Sequence, residues 1–343
     1  MNGTHVLITG GAGYIGSLLT GILLEHGWAV TVVDKLLFGG ESLLGHWHHP
    51  RFRFTPGDVT DPATLEVTAD GLRIGRLEPA HFDVVVHLAA IVGFPACQAV
   101  GPKVARLYNT ESVRLVFDAA EAAGADRFVL ASTYSNYGLS PDGRPVDENS
   151  PLNPQSLYAE TKIAAERLLL ERAATARCSP ILLRFATIFG VSPRTRFDLI
   201  VNQFVLEALT RRRLVIYQKG YARSFVHVSD VCRAIELALD APREEVHGQV
   251  FNVGGDALNH TKVEIVELVQ RHVPGTEVEV KDLTFGGDMR DIRVSFEKIH
   301  RVLGFEPAVG VEEGVLEVRN ALADGLIRDP GGERYRNAQF IVQ

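Results

Sequence analysis

Tyr158 and Lys162 stand four residues apart in a segment, from about Ser156 to Ala176, whose pattern predicts a helix, so the two side chains share a face. A phenol ordinarily keeps its proton up to a pH of about 10 and is inert near neutrality. A lysine ammonium one turn away favours the phenolate. Such a tyrosine can take a proton from a hydroxyl as hydride leaves the carbon that bears it, and return it later. Taken alone, the spacing is better read as an ordinary surface pair.

The chemistry gains a second party at the N-terminus. Val6 to Thr9 is a short β-rich run that breaks at Gly10, Gly11, Gly13 and Gly16, where a helical pattern of Ile15, Leu18, Leu19, Ile22 and Leu23 begins. Strand, glycine turn and helix together make a cradle for a pyrophosphate, with free N–H groups and the positive end of the helix dipole facing the anion. A second strand, Ala29 to Val33, ends in Asp34, eighteen residues after Gly16, where an acid accepts hydrogen bonds from an adenosine ribose. A 2′-phosphate there meets like charge, which favours NAD over NADP; Lys35, directly after, works against that preference. A bound nicotinamide cation adds to Lys162 in favouring a Tyr158 phenolate.

The intervening elements alternate. Phe52 to Phe54, followed by Pro56-Gly57-Asp58-Val59, predicts a third strand ending in an acid, and Asp58 suits either an adenine amino group or a helix cap. Phe82 to Leu88 predicts a strand buried on both faces. Ala89 and Ala90 after it permit close approach of a cofactor, and the loop Ile91 to Pro95 can reach a substrate. Asn109 precedes a helix through about Ala123. Arg127 to Leu130 begins a strand running into Ser132-Thr133-Tyr134-Ser135, and a loop from Ser140 to Pro154 leads to the Tyr158 helix. Pro180 to Phe185 is a sixth strand. The pattern predicts an α/β, doubly wound (Rossmann) parallel sheet, with residues 1–185 as a dinucleotide-binding domain. A segment at about 229–257 returns to it, with Val250 to Val253 as a further strand. Residues 186–228 and 258–325 are expected to form a smaller C-terminal α/β substrate lobe, and 326–343 a tail that is either loosely held after Asp329 or docked through Phe340-Ile341-Val342.

The chain has 343 residues, 46% hydrophobic and 22% charged, enough for a substantial core. A net charge of −7 without a long basic tract disfavours a nucleic-acid partner. No apolar run approaches the roughly 18 residues that span a bilayer, and a strand begins almost at once, with no leader pattern. No membrane association and a cytoplasmic location are the expectation. Cys97, Cys178 and Cys232 are scattered and suit buried thiols. His46, His48 and His49 lack a thiol or carboxylate at ligand spacing and read as an exposed loop, so no metal is expected.

Gly10-Gly-Ala-Gly13-Tyr-Ile-Gly16, His87-Leu-Ala-Ala90, Ser132-Thr133…Tyr137-Gly138, Tyr158-Ala-Glu-Thr-Lys162 and Arg223-Ser-Phe-Val-His-Val-Ser-Asp230 together resemble the extended short-chain dehydrogenase/reductase family. More narrowly, they are similar to its nucleotide-sugar epimerases and dehydratases, over residues 5 to about 325. The resemblance implies that Tyr158 is the general acid/base, Lys162 its tuner and a ligand of the nicotinamide ribose, and Thr133 a partner of the substrate hydroxyl. It places NAD against Gly10, Gly13, Tyr14, Ile15, Gly16, Asp34, Asp58, Val59, Leu88, Ala89, Ala90 and Asn109. A nucleoside diphosphate is expected at Asn202 and Arg223, with Arg290 or Arg293 adding a charge. A homodimer through the helices near 110–123 and 156–176 is also implied.

Two departures narrow the chemistry. Family dehydratases place an Asp-Glu pair directly after the threonine, where this chain has Tyr134-Ser135, and decarboxylases that keep the glutamate are disfavoured with them. Tyr134 suits either a second acid/base or a ring packed over the sugar or cofactor. Thr187 stands where many 4-epimerases have an asparagine near the substrate phosphates. The expectation is an NAD-dependent nucleoside-diphosphate-sugar epimerase acting through a transient ketone. The rivals are a 4-keto-sugar reductase, an atypical dehydratase using Tyr134, and, in another class, a non-catalytic dinucleotide-sensing regulator.

Overall fold

In the computed structural model, which describes residues 3–139, 144–217, 220–281 and 291–337, the glycine turn joins β1 (His5–Thr9) to α1 (Tyr14–Glu25), and β2 (Ala29–Asp34) follows as expected. β3 (Phe52–Pro56) pairs alongside β2. Two short strands, β4 (Leu65–Thr68) and β5 (Gly71–Ile74), then form an antiparallel hairpin. The sequence pattern did not disclose it, since four-residue strands are shorter than the window over which alternation can be read. β6 (Val84–His87) is buried throughout, as its β-branched run requires.

The segment after β6 differs from expectation. A helix, α2 (Phe94–Arg106), starts where a loop was read, with Pro95 in its first turn. Gly101, at φ 77°, kinks it ahead of Pro102, and this pair interrupts the helical period in the sequence. A π-helical turn, Leu107–Glu111, carries the chain into α3 (Ser112–Ala122), so Asn109 lies inside a helical run rather than ahead of one. β7 (Arg127–Thr133), α4 (Leu157–Ala173) and β8 (Ser179–Phe185) complete the alternation.

Beyond β8 come β9 (Thr187–Phe189), α5 (Ile200–Arg211), β10 (Arg213–Tyr217) and β11 (Ala222–His227). α6 (Val228–Asp240), the single turn α7 (Arg243–Val246) and β12 (Gln249–Val253) then return the chain to the main sheet, β12 pairing with β8. β13 (Asn259–Thr261), α8 (Lys262–His272), β14 (Glu277–Lys281), α9 (Glu297–Leu303) and α10 (Val311–Ala323) follow. α8 starts cleanly because Thr261 and Glu264 form a capping box.

The main sheet is seven-stranded and parallel, in the order β12-β8-β7-β6-β1-β2-β3. Alternate residues of β1 divide between its faces. Val6 and Ile8 pack with Leu19 and Leu23 of α1 and Val231 and Ile235 of α6; Leu7 packs with Phe117 of α3 and Leu169 of α4. Each such fully buried aliphatic side chain contributes about 1.5–3 kcal/mol relative to exposure. A third core, including Phe189, Phe204, Leu214, Ile265 and Val315, holds the smaller lobe together around a three-stranded and a two-stranded sheet. Among the described residues no helix is long and apolar enough to cross a membrane.

Candidate active site

The strand order reverses between β1 and β6, and the carboxyl ends of the strands open there into a cleft of about 730 Å³ lined by both lobes. Gly10, at φ 75°, brings β1 so close to the β6 loop that a Cβ there would lie 2.7 Å from the Ala89 nitrogen. A Cβ on Gly16 would lie 2.6 Å from the Gly10 carbonyl oxygen. α1 therefore begins tight against the turn, and Gly13 gives its N-terminus no side-chain cap, which leaves the first N–H groups for an anion. Ile15, Val59, Leu88, Ala89 and Ala90 line the same cleft.

Asp34 accepts hydrogen bonds from the Ala12 and Leu36 nitrogens at 3.0 and 2.7 Å, and burial raises its pKa. Asp58 is differently employed. Its Oδ2 accepts from Lys35 Nζ (2.8 Å) and the Tyr108 hydroxyl (2.6 Å), and its Oδ1 from the Thr60 nitrogen and hydroxyl. Burial alone would raise its pKa, but these donors outweigh burial and hold it near about 2. With four donors in place, Asp58 builds the wall of the cleft and has no lone pair to spare for an adenine amino group.

Tyr14 and Asn109 also act through the frame. Tyr14 is buried and donates to the Gly190 carbonyl at 2.8 Å, tying α1 to the smaller lobe. Asn109 was expected on the cofactor, yet its amide is consumed by Ile91 N, Ile91 O and Thr161 Oγ1, at 2.8–3.1 Å, and it is fully buried. It holds the Ile91 loop at the cleft edge.

The residues expected to transfer a proton, Thr133, Tyr158 and Lys162, line the same cleft. Ser156 caps α4 by accepting from the Ala159 nitrogen at 3.2 Å, which aims Tyr158 and Lys162 into the cleft. Lys162 donates to the Ala131 carbonyl at 2.9 Å, and burial lowers its pKa to about 8, against the pull of Glu166. Thr133, at the end of β7, accepts from Ser135 N and donates to Ser135 Oγ. Beneath them, Glu166 and Arg184 form a buried ion pair (2.6 Å), joined by Ser132 and Asn136. Arg184 also donates to the Tyr137 hydroxyl at 2.8 Å. Tyr134 is buried, and its hydroxyl lies 2.7 Å from Thr187 Oγ1. The two departures in the sequence thus form one hydrogen-bonded pair in the cleft wall.

On the substrate side Arg223 lines the cleft, whereas Asn202 does not. The Asn202 amide accepts from Gly190 N and donates to the Gly190 and Arg196 carbonyls, all at 3.0 Å, so it shapes the loop after β9 instead of meeting a phosphate. Arg290 lies outside the described residues. Arg293 is exposed, and its carbonyl accepts from Val146 N. Sequence reasoning missed Arg194, Arg196 and Lys262, all of which line the cleft. Arg196 forms a two-armed ion pair with Asp198 (2.9 and 3.0 Å), and Lys262 donates to the Tyr217 carbonyl. Lone cations in loops or at helix starts carry no period to mark them.

Residues 6–254 match the model of the NAD dependent epimerase/dehydratase family. The chain belongs to that family. A dTDP-glucose 4,6-dehydratase of Actinoplanes sp. is 32% identical over 91% of this chain and 95% of its own length. A UDP-glucose 4-epimerase of Corynebacterium glutamicum is 28% identical over 88% and 90%. The solved structure of a dTDP-glucose 4,6-dehydratase from Streptomyces venezuelae, with NAD bound, is 27% identical, with a TM-score of 0.79 over 94% of this chain and 98% of that one.

As in other members of the NAD dependent epimerase/dehydratase family, the cofactor is NAD, and the residues fit it. The space where Cβ atoms on Gly10 and Gly16 would fall is closed to a side chain, the α1 N-terminus is uncapped, and Asp34 faces the cleft at the end of β2. Family members are nucleotide-sugar enzymes that epimerise, dehydrate or decarboxylate.

Proposed function

We propose that this protein is an NAD-dependent nucleoside-diphosphate-sugar epimerase. The observation that carries the reading is the Tyr134–Thr187 hydrogen bond in the cleft wall, because Tyr134 and Ser135 stand where the resemblance places the Asp-Glu pair of sugar dehydratases. The other cleft-lining carboxylates among the described residues are committed elsewhere. Asp34 and Asp58 lie at the adenosine end, and Asp198 is tied to Arg196. Tyr158 is then the group that moves a proton.

Bound NAD would supply the acceptor for a hydride from carbon 4 of the sugar and the donor that returns it. Thr133 orients the hydroxyl on that carbon, and Tyr158 takes its proton as the carbonyl forms. Lys162 supplies the positive charge that favours the Tyr158 phenolate and holds the nicotinamide ribose. After the keto-sugar turns in the cleft, so that hydride returns to the other face of carbon 4, Tyr158 gives its proton back to the carbonyl oxygen. Arg223 and Lys262 supply charge for the diphosphate.

A second reading, dehydration with Tyr134 as acid/base, draws on the likeness to the Actinoplanes dehydratase. Incubation of the purified protein with UDP-, GDP-, CDP- and dTDP-sugars, without added cofactor, separates the two. An unchanged mass with altered ring couplings in the proton NMR spectrum supports epimerisation. A loss of about 18 mass units, one water, supports dehydration. Turnover that begins only with NADH and a keto-sugar makes the enzyme a reductase. Full cellular function of Tyr158→Phe would make it a sensor of dinucleotides.

A further inference from the structure

Arg194 arrives from the loop between β9 and α5, yet its guanidinium lies 3.9 Å over the Phe38 ring, four residues beyond Asp34. The residue is 2% exposed. Nε donates to the Arg334 carbonyl at 3.0 Å and Nη1 to Asn337 Oδ1 at 2.7 Å. Nη2 is buried with no hydrogen-bond partner, and Arg194, Asp34, Phe38 and Asn337 all line the cleft. A buried donor left without an acceptor is costly, so an arriving ligand that accepts from it relieves that cost.

A ligand seated between Asp34 and Arg194 must donate to a carboxylate and accept from a guanidinium. A ribose hydroxyl does both. We propose that Asp34 and Arg194 clamp the adenosine ribose of NAD from opposite lobes, and that the C-terminal segment 329–337 is the strap that holds Arg194 in place. The strap is anchored at both ends of the clamp. Arg334 pairs with Glu41 in the loop after β2 (3.4 Å), while Asn337 N donates to Asp198 and Phe197 N to the Tyr335 carbonyl in the smaller lobe. Through Arg194 the strap would hold the bound ribose, so loss of the strap would weaken retention of NAD. The inference rests on NAD as the cofactor and holds whichever sugar reaction follows.

The test is a calorimetric titration of the full-length protein, stripped of nucleotide, with NAD, ADP-ribose and nicotinamide mononucleotide. Arg194→Ala is expected to weaken NAD and ADP-ribose about tenfold or more, the loss of a charge-assisted hydrogen bond, and to leave nicotinamide mononucleotide unchanged. ADP-ribose lacking the 2′- or the 3′-hydroxyl of the adenosine ribose adds a stricter readout. One of the two should bind the unaltered protein more weakly, and that penalty should vanish in Arg194→Ala. Unchanged ADP-ribose binding by Arg194→Ala, or the same deoxy penalty with and without Arg194, overturns the clamp. Should Arg194→Ala fail to fold, Asn337→Ala decides: a loss confined to adenosine-containing ligands supports the strap, and unaltered binding overturns it.

Discussion

At the residue scale the informative contact is the one between Tyr134 and Thr187. If Tyr158 moves the proton and Tyr134 only shapes the wall, Tyr134→Phe loses the neutral hydrogen bond to Thr187, and kcat/KM should fall about two- to tenfold. Tyr158→Phe should fall about a hundredfold or more. Equal losses from the two variants, measured on the same substrate, would show that both tyrosines transfer protons. Lys162 offers a test with a sign. Burial lowers its pKa from 10.5 to about 8, so the folded state resists its charge. The resulting penalty is complete below a pH of about 8 and shrinks as pH rises toward 10.5, because across that window the unfolded chain binds more protons. Lys162→Met should therefore lose activity while the nucleotide-free protein melts roughly 2–4 °C higher at neutral pH, a gain that fades toward pH 10. A lower melting temperature at pH 7 would mean that the bond to the Ala131 carbonyl outweighs the buried charge.

At the element scale the site depends on how α4 is set against β7 and β8. The Glu166–Arg184 pair does this one turn beyond Lys162, with side chains 2% and 4% exposed. Glu166→Ala leaves a buried guanidinium uncompensated and should cost about 3–5 kcal/mol in denaturant unfolding, whereas the double change Glu166→Leu with Arg184→Met should cost much less. Comparable losses from both would assign the stability to packing instead of charge. The same scale explains what could be read in advance. β1, α1, β2, β6, β7, β8 and β12 were legible because each is an apolar run or a periodic face bounded by glycine, proline or an acid. α2 was not, since Gly101-Pro102 interrupts its period, and the β4–β5 hairpin was too short. Site residues followed the same division. Tyr158, Lys162, Thr133 and the glycines sit at element ends where spacing determines facing. Asn109 and Asn202 were assigned to ligands because nothing local shows that an amide will spend its hydrogen bonds on the chain's own loops. Arg194 was invisible for the opposite reason: its partners, Arg334 and Asn337, lie about 140 residues away.

At the scale of the whole molecule, the two lobes and the C-terminal segment meet over one cleft, and the proposed redox-neutral epimerisation needs that cleft to keep its cofactor. Tight retention predicts that the protein isolated from cells carries close to one NAD per chain. Shortening the chain after residue 328 should lower that ratio, and unchanged occupancy would remove the strap from the account. α3 and α4 are joined by Arg172, which pairs with Asp118 and Glu121, and Leu170 is partly exposed beside them. A homodimer through these helices predicts a species of about twice 37.6 kDa in light scattering; a monomer at micromolar concentration would rule it out. The most direct test of the central claim is turnover of the active nucleotide sugar in D₂O without added cofactor. Hydride that leaves and returns to the same carbon predicts an epimerised product with no deuterium on the ring carbons and no change in mass. Deuterium incorporated next to the former ketone, with loss of water, would contradict epimerisation and make the enzyme a dehydratase.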